Sequence, residues 1–513
     1  MALLRSSVTV GGYTMASRVL GFVRDILIAN ALGAGPLADA FVVAFRTPNL
    51  FRRLVAEGAL TAAFVPLFAR ELEENGAAAA VRFGNQALAL MFSTLLVFTI
   101  LAEIAMPWFL FALAPGYIEN SDKFALTVLF TRITLPYLLC MALVALLGGM
   151  LNAVYRFAAM SAAPVILNVV LISALLAGEL VFASPGHALV WGVAAAGVAQ
   201  LAWLIIACAR SGLAIRLHLP VWNPAMKRLV RLMLPGVIGG GVTQINIVVG
   251  TAIATLVGEG AVAYLYYADR VYQLPLGVVG IALGTALLPL LSRQLRNGDA
   301  DAASDSTNRA LEFSALLILP ATVALLLIAG PIVTVLFGHG AFTPQDTVAT
   351  AAALVAFSIG LPAYVLVKIL STGFFAREDT VTPVRVAVVS MAVNIAASLL
   401  LIDPLGHIGV ALATAIASWL NTFVLAAILV RRRALSIDPR LRYRLIRIVL
   451  ASAAMGLVLW FLEPILASAL AGTLVERVGA LFALILAGTV VYFAAAFCLG
   501  AASAADIKAQ LRK

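Results

Sequence analysis

Long runs of apolar residues dominate this chain, and short polar segments separate them. Fourteen runs reach the length of roughly 20 residues that a helix needs to cross the hydrocarbon core of a membrane. The runs cover residues 7–31, 37–68, 85–114, 124–149, 158–182, 188–208, 234–257, 261–291, 308–337, 346–374, 381–402, 407–430, 448–469 and 478–502. They lack the apolar–polar alternation of half-buried strands. The pattern predicts an all-α polytopic membrane protein with fourteen transmembrane helices.

Composition agrees with a membrane protein. Hydrophobic residues make up 63% of the 513 residues, charged residues make up 11%, and the mean hydropathy is +1.06. Soluble domains lie nearer 45–50% apolar and 25% charged. Arg18 and Arg24 interrupt the first run, so we expect it to be a true first helix and not a cleavable signal peptide.

The distribution of basic residues predicts the orientation. Of the 34 Lys and Arg residues, eight lie well inside the apolar runs. Another 24 lie at the termini, in the loops that follow even-numbered runs or, for Arg309 and Arg385, at the run ends next to those loops. Only Lys123 and Arg477 follow odd-numbered runs. The positive-inside rule therefore predicts that both termini are cytoplasmic. The net charge of +10 follows from this topology, so it does not indicate a nucleic-acid partner. A dense group of arginines at 431–447 is expected to meet anionic lipids.

The chain contains an internal repeat. ALTAAFVPLFAREL at 59–72 aligns with ALGTALLPLLSRQL at 282–295, an offset of 223 residues. The same offset aligns 38–46 with 261–269. Both copies have the same predicted orientation, as in transporters built from two parallel lobes with the substrate between them.

This repeat predicts the domain organisation. Six runs separate the two copies, so residues 1–216 form an N-terminal lobe and residues 217–440 form a C-terminal lobe. Residues 441–513 contain two further helices outside the repeat. Their apolar character suits a groove for a long lipid tail.

Eight basic side chains lie well inside the apolar runs, where a charge at the bilayer centre costs about 3 kcal/mol on insertion scales. They are Arg18, Arg24, Arg46, Arg52, Arg53, Arg132, Arg270 and Lys368. Such a cost is tolerated when the charge faces a polar cavity or a partner. Five of the eight fall between residues 18 and 53, so the sequence predicts a cavity that holds an anion. Lys368 is expected to line it as well.

The second run carries a polar stripe with helical spacing. Its members are Asp39, Arg46, Asn49, Arg53 and Glu57. Arg52 lies roughly 100° away on the helix and reaches the same side. The favoured interpretation is the lining of the cavity between the lobes. The alternative is a solvated segment in which Arg52, Arg53 and Glu57 make ordinary salt bridges.

Two further runs repeat this combination of Arg and acid. Arg18 and Asp25 are seven residues apart and share a helix face, while Arg24 points aside. Tyr266, Arg270 and Gln273 share a face of the eighth run by the same rule.

The chemistry of arginine suggests the ligand. Arginine binds phosphate oxygens in a bidentate manner better than lysine does, so several arginines in one cavity favour a phosphate or diphosphate. The acids Asp25, Asp39, Glu57 and Asp269 are expected to pair with the arginines in the empty site or in one of two states, and thereby to act as gates.

Other chemistry is not indicated by the sequence. It has no Walker A motif and therefore no predicted ATPase site. The three cysteines are scattered, which gives no disulfide framework and no metal-binding pattern. No catalytic constellation is recognisable, so we expect a protein that is not an enzyme and needs no cofactor.

Several long segments resemble the lipid II flippases of the MurJ (MviN) family. They are TMASRVLGFVRDILIANALGAGPLADAFVVAFRTPNLFRRLVAEGALTAAFVPLFAREL at 14–72, APGY at 114–117, YYADRVYQLPLGVVGIALGTALLPLLSR at 266–293 and TPVRVAVV at 382–389. The resemblance runs nearly end to end.

The resemblance implies a fourteen-helix fold of the multidrug/oligosaccharidyl-lipid/polysaccharide exporter superfamily. It implies alternating-access transport of undecaprenyl-diphosphate disaccharide-pentapeptide from the cytoplasmic to the periplasmic leaflet of a bacterial inner membrane. The family's cavity arginines correspond to Arg18, Arg24, Arg52 and Arg270, and its cavity acid corresponds to Asp39. Arg46 stands where a basic residue is usual in the family.

The resemblance also bears on the energy source and the partners. Some family members are thought to bind sodium through an acid in the seventh run, but residues 234–257 contain no Asp or Glu. A sodium site is therefore not predicted, and the membrane potential is an equally good driving force. Expected partners are lipid II, membrane lipids and the cell-wall synthesis machinery.

Two alternatives remain open at this stage. The first is a flippase for another polyprenyl-diphosphate-linked glycan, which needs the same cationic cavity. The second is a multidrug/cation antiporter of the same superfamily, which would need an acidic cavity and is disfavoured by the excess of arginine.

Overall fold

The computed structural model of the protein describes residues 2–53, 60–178 and 180–501, with the side chains left out at 2–8, 61–62, 237–240, 242–243, 278 and 280–286. Every regular element in these residues is a helix. The chain divides into two compact units, Met1–Ala263 and Tyr264–Lys513. The boundaries predicted at 216 and 440 stay a prediction.

The first unit contains nine helices within the described part of the chain. They are α1 (Ala2–Leu32), α2 (Pro36–Arg52), α3 (Thr61–Ile104), α4 (Met106–Leu113), α5 (Ser121–Thr134), α6 (Tyr137–Ala153), α7 (Ala158–Gly178), α8 (Pro185–Arg210) and α9 (Pro224–Thr255). A short 3-10 helix, Pro115–Tyr117, precedes α5. The main contacts pair α1 with α7, α7 with α8, α3 with α6, and α2 with α5.

The helix α10 (Ala261–Arg296) begins at the end of the first unit and continues into the second. The remaining helices are α11 (Ala300–Leu327), α12 (Ala329–Phe337), α13 (Pro344–Phe375), α14 (Val381–Leu405), α15 (His407–Arg431), α16 (Pro439–Ile465), α17 (Ala467–Leu470) and α18 (Leu474–Cys498). In this unit α15 packs on both α13 and α14, and α16 packs on both α11 and α18.

Ten helical segments in the described residues are long and apolar enough to cross a membrane. They coincide with ten of the fourteen predicted runs. The runs at 7–31, 37–68, 234–257 and 261–291 are helical where described but do not qualify. Each of these four runs includes residues whose backbone or side chains lie outside the described part, and in the run at 234–257 the described residues Gln244–Thr255 are an apolar part of the longer helix α9. The protein is a multi-pass, all-helical membrane protein in these residues.

Two of the predicted runs are each divided between two helices in the described residues. The run at 124–149 is divided between α5 and α6, because the chain breaks regular structure at Leu135 and Pro136. The run at 37–68 contains α2, which continues through Pro48 to Arg52, and the beginning of α3. Residues 54–59 of that run lie outside the described part.

An ionic cluster joins α11 to α16 in the second unit. Glu312 is 8% exposed and accepts hydrogen bonds from Arg309, Arg440 and Arg444. Arg309 also donates to Asp438, whose carboxylate caps the beginning of α16. Arg440 and Arg444 belong to the arginine group at 431–447 that was expected to meet lipids, so this part of the group has an acidic partner inside the protein.

The glycines of α16 and α18 serve helix packing. A Cβ atom on Gly456 would lie 2.8 Å from a methyl group of Val323, and one on Gly488 would lie 3.2 Å from Leu459. Gly500 has φ +69° and ends α18. Neighbouring side chains therefore fill the space beside Gly456 and Gly488, and Gly500 serves a turn.

Candidate functional site

Arg24 lies at the centre of a buried cluster of polar side chains between α1 and α7. Its Nε and Nη2 atoms donate to Asp25 Oδ1 over 3.0 and 2.7 Å. Its Nη1 atom donates to Asn168 Oδ1 over 2.9 Å. The guanidinium lies 5.6 Å from the ring centre of Phe45, which adds a cation–π contact from α2. The sequence grouped Asp25 with Arg18, but the structure pairs it with Arg24 and leaves Arg18 exposed.

Asp39 forms a second buried ionic site, at the beginning of α2. Its side chain is fully buried, and Lys123 Nζ lies 2.6 Å from Oδ2. The backbone amides of Gly260 and Ala263 donate to the same carboxylate over 2.8 and 2.9 Å. A buried charge is tolerated when it is paired and its remaining lone pairs accept hydrogen bonds. Asp39 was expected to pair with an arginine, so its pairing with Lys123 corrects that expectation for this conformation.

The APGY segment supports the Asp39 site. Its short 3-10 helix buries Tyr117, whose ring centre lies 4.1 Å from Lys123 Nζ. Gly116 donates from its backbone N–H to Thr255 Oγ1 over 3.1 Å. A Cβ atom on Gly116 would lie 2.0 Å from the carbonyl oxygen of Thr255, so only glycine allows this close approach to the end of α9.

The other basic residues of the α2 stripe lie in less buried surroundings. Arg46 donates to Thr251 of α9 over 3.2 Å. Arg52 donates from Nε to Asn49 Oδ1 over 3.0 Å, so its side chain reaches a member of the stripe. Arg53 is exposed. Glu57, the last predicted member, lies outside the described residues.

The second unit holds the remaining predicted site residues. Arg270 is half-buried and lies 4.8 Å from the ring centre of Tyr266, which confirms that these two side chains share a face of α10. Asp269 accepts a hydrogen bond from Gln273 and lies 3.8 Å from Arg270 Nη2. Lys368 on α13 is exposed.

Sequence reasoning missed three partners of the predicted residues. Lys123 carried a signal, because it is one of two basic residues that break the charge asymmetry of the loops. Asn168 carried a weaker one, since an amide in an apolar run usually bonds to another helix. Thr251 carried no signal that separates it from other threonines in the runs.

Comparison with known proteins identifies the family. The model of the lipid II flippase MurJ family matches residues 28–479. The probable lipid II flippase MurJ of Rhizobium tropici is 46% identical over 521 residues, and the alignment covers 100% of this chain and 97% of that relative.

Solved structures agree with this result. A structure of lipid II flippase MurJ in an inward closed conformation has a TM-score of 0.78 at 25% identity, and it covers 95% of this chain and 98% of that one. An inward-facing multidrug resistance MATE family transporter has a TM-score of 0.69 at 14% identity, with 83% of this chain and 98% of that one covered. The similarity to the MATE transporter shows only the fold, whereas the family model and the full-length sequence identity show the family. The chain belongs to the lipid II flippase MurJ family.

Proposed function

We propose that this protein moves lipid II, the undecaprenyl-diphosphate disaccharide-pentapeptide, from the cytoplasmic to the periplasmic leaflet of a bacterial inner membrane. The end-to-end similarity to a relative described as a probable lipid II flippase carries this proposal. Transport proceeds by alternating access without ATP hydrolysis by this chain. The proposed topology has fourteen crossings, two six-helix lobes and both termini in the cytoplasm, as the loop charges and the repeat predict.

The diphosphate is the part of the substrate that the arginines recognise in this proposal. Arg18, Arg24 and Arg52 of the first unit contact it, with Arg46 and Arg53 supplying further positive charge. Arg270 and Lys368 of the second unit do so as well. A guanidinium donates two parallel hydrogen bonds to a phosphate, which a lysine ammonium does not reproduce.

The acids exchange partners with the substrate. Asp25 holds Arg24 when no diphosphate is present, and a phosphate oxygen takes its place when substrate arrives. Asp39 acts as a gate through its bond to Lys123 and to the backbone of 260–263, and Asp269 and Glu57 act in the same way on Arg270 and on the α2 arginines. Each exchange replaces one charge-assisted hydrogen bond by another of similar strength.

The polyprenyl tail lies along α16 and α18. Both helices expose large apolar side chains, among them Trp460 and Phe461 on α16 and Phe482 and Phe493 on α18. Such a surface shields a hydrocarbon chain and offers nothing to a sugar or a phosphate. The tail therefore remains in the membrane beside these helices while the head group crosses through the protein.

The membrane potential is the driving force that we favour. A sodium site of the kind attributed to some family members needs an acid that residues 234–257 lack. Asn394 is buried in α14, and its side-chain oxygen lies 3.5 Å from Ser398 Oγ. No step of the transport is therefore assigned to sodium. The cell-wall synthesis machinery that consumes lipid II is the proposed protein partner.

A reconstituted assay tests the proposed substrate. Purified protein in proteoliposomes with a potential across the membrane is offered lipid II, an O-antigen polyprenyl-diphosphate lipid or a cationic dye. We expect transfer of lipid II well above protein-free liposomes and little transfer of the dye. Equal transfer of the O-antigen lipid would indicate a general polyprenyl-diphosphate flippase, and transfer of the dye alone would indicate a cation antiporter.

A further inference from the structure

Asn168 lies beside α1 and bonds to it at two points. It is 4% exposed and sits on α7, which packs against α1. Its Oδ1 atom accepts from Arg24 Nη1 over 2.9 Å, and its Nδ2 atom donates to the backbone carbonyl of Ser17 over 2.9 Å. Both ends of the amide are therefore used, and Ser17 and Arg24 lie two turns apart on the same helix.

The orientation of the Arg24 guanidinium depends on two different kinds of partner. Asp25 accepts from Nε and Nη2, and Asn168 accepts from Nη1. A carboxylate attracts the guanidinium but also cancels its charge. An amide oxygen accepts a hydrogen bond without adding charge, so it holds the side chain while the positive charge stays available to an anion.

The two partners also differ in what an incoming phosphate does to them. A phosphate repels the Asp25 carboxylate and competes with it for the same N–H groups. It does not repel a neutral amide, and Nη1 can keep its bond to Asn168 while Nε and Nη2 turn to the phosphate. Asn168 is thus suited to hold Arg24 in both the empty and the occupied site.

We propose that Asn168 is a positioning residue for diphosphate recognition, which fixes the orientation of Arg24 without neutralising it. This inference rests on the proposed function, because it assigns Arg24 to the diphosphate. It goes beyond that function by naming a residue of α7 on which the affinity of the site depends. Asn168 does not itself touch the substrate.

Three single variants in the full-length protein separate positioning from simple helix packing. Asn168→Leu removes both hydrogen bonds. Asn168→Asp keeps the shape and the acceptor for Arg24, but it adds a negative charge and loses the donor to the Ser17 carbonyl. Gln200→Leu is the matched control. Gln200 is equally buried and donates to the carbonyl of Ala163 over 2.7 Å, so it ties α8 to the same helix without touching Arg24.

Two measurements are made on each variant in detergent. The first is the Kd for undecaprenyl diphosphate. The second is the rate at which phenylglyoxal modifies Arg24, followed by peptide mass spectrometry. For Asn168→Leu we expect a roughly tenfold weaker Kd, the size of a lost charge-assisted hydrogen bond, and several-fold faster labelling. For Asn168→Asp we expect a similar loss of affinity with labelling as slow as in the wild type, since Arg24 stays in place but is neutralised.

The control decides between the two roles of Asn168. Gln200→Leu should lower thermal stability while leaving the Kd and the Arg24 labelling close to wild type. The proposal is overturned if both Asn168 variants bind undecaprenyl diphosphate as the control does, or if Asn168→Leu leaves Arg24 protected. If Asn168→Leu does not fold, the nearly isosteric Asn168→Asp still tests the proposal through its Kd. Failure of the wild type to transport lipid II while binding undecaprenyl diphosphate would defeat the proposed function and leave this inference standing.

Discussion

Asp39 in the first unit and Glu312 in the second are both carboxylates buried between helices, yet their surroundings differ. Asp39 has one cationic partner, Lys123, and two backbone amides. Glu312 faces three arginines at once. Asp39 was expected from the sequence to belong to the transport site, and it lies in α2, whose 17 described residues are too few to count as a membrane span. Glu312 lies in α11, which does qualify.

The difference indicates how each site responds to the loss of a charged side chain. The Asp39 site is balanced by a single pair, so loss of either side chain leaves a buried charge uncompensated. The Glu312 carboxylate has three arginine partners, so we expect the site to tolerate the loss of one of them. We infer that the Glu312 cluster stably holds α11 and α16 together. The Asp39 site depends on a single cationic partner, in keeping with the gate proposed for it.

The largest effect is expected for Lys123→Met. It leaves the Asp39 carboxylate buried with only two amide donors, so the loss of stability should be about 3–5 kcal/mol. Thermal unfolding of the purified protein in detergent measures it. The double variant Asp39→Asn with Lys123→Met removes the charge and keeps an acceptor for one of the two backbone amides, so it should regain part of the loss. A double variant no more stable than Lys123→Met would show that the two side chains are not coupled.

Glu312→Gln should have an intermediate effect. It leaves Arg309, Arg440 and Arg444 close together without the carboxylate between them, although Arg309 keeps Asp438. We expect a loss of roughly 2 kcal/mol, the size of one charge-assisted hydrogen bond, and the loss should shrink as salt screens the arginines. An unchanged unfolding temperature at low salt would contradict the inference that Glu312 holds α11 and α16 together.

Arg440→Gln should have a small effect. Arg440 lies 3.3 Å from Glu312 but its side chain is about half exposed, and two other arginines remain on the same carboxylate. Exposed ion pairs contribute about 0–1 kcal/mol, so we expect a change within that range. A loss of stability as large as that of Glu312→Gln would mean that the three arginines cannot replace one another. Glu312 would then depend on single partners as Asp39 does.

Asp379 extends the comparison to a surface carboxylate. It accepts from the backbone and side chain of Thr382 and from Arg432, and these bonds hold its pKa below the ordinary value near 4. A depressed pKa in the folded state stabilises the protein above the ordinary pKa, and this contribution is lost as the pH falls through the folded value. Asp379→Asn should therefore be slightly less stable than wild type at pH 7, and the difference should vanish in acid. A difference that does not change with pH would contradict this account.

Most of the membrane helices could be predicted from the sequence, because a long apolar run is enough to indicate a helix that crosses the membrane. It also predicted the family, which the full-length comparison confirms. It located Arg24, Asp25 and Asp39 as buried charges, because a charge in an apolar run demands a partner. It did not predict the partners, since Lys123 is 84 residues from Asp39 and Asn168 is 144 residues from Arg24. Helical periodicity gives the face of a side chain, whereas such pairs depend on which helices become neighbours.

The most direct test of the account is the initial rate of lipid II transfer in proteoliposomes by wild type and by Arg24→Lys. Arg70→Lys, which changes an exposed arginine paired with Glu74, serves as the control. If Arg24 recognises the diphosphate through its forked donors, Arg24→Lys should slow transfer at least about tenfold, while the control transfers at the wild-type rate. Equal rates for all three proteins would contradict the claim that Arg24 binds the substrate.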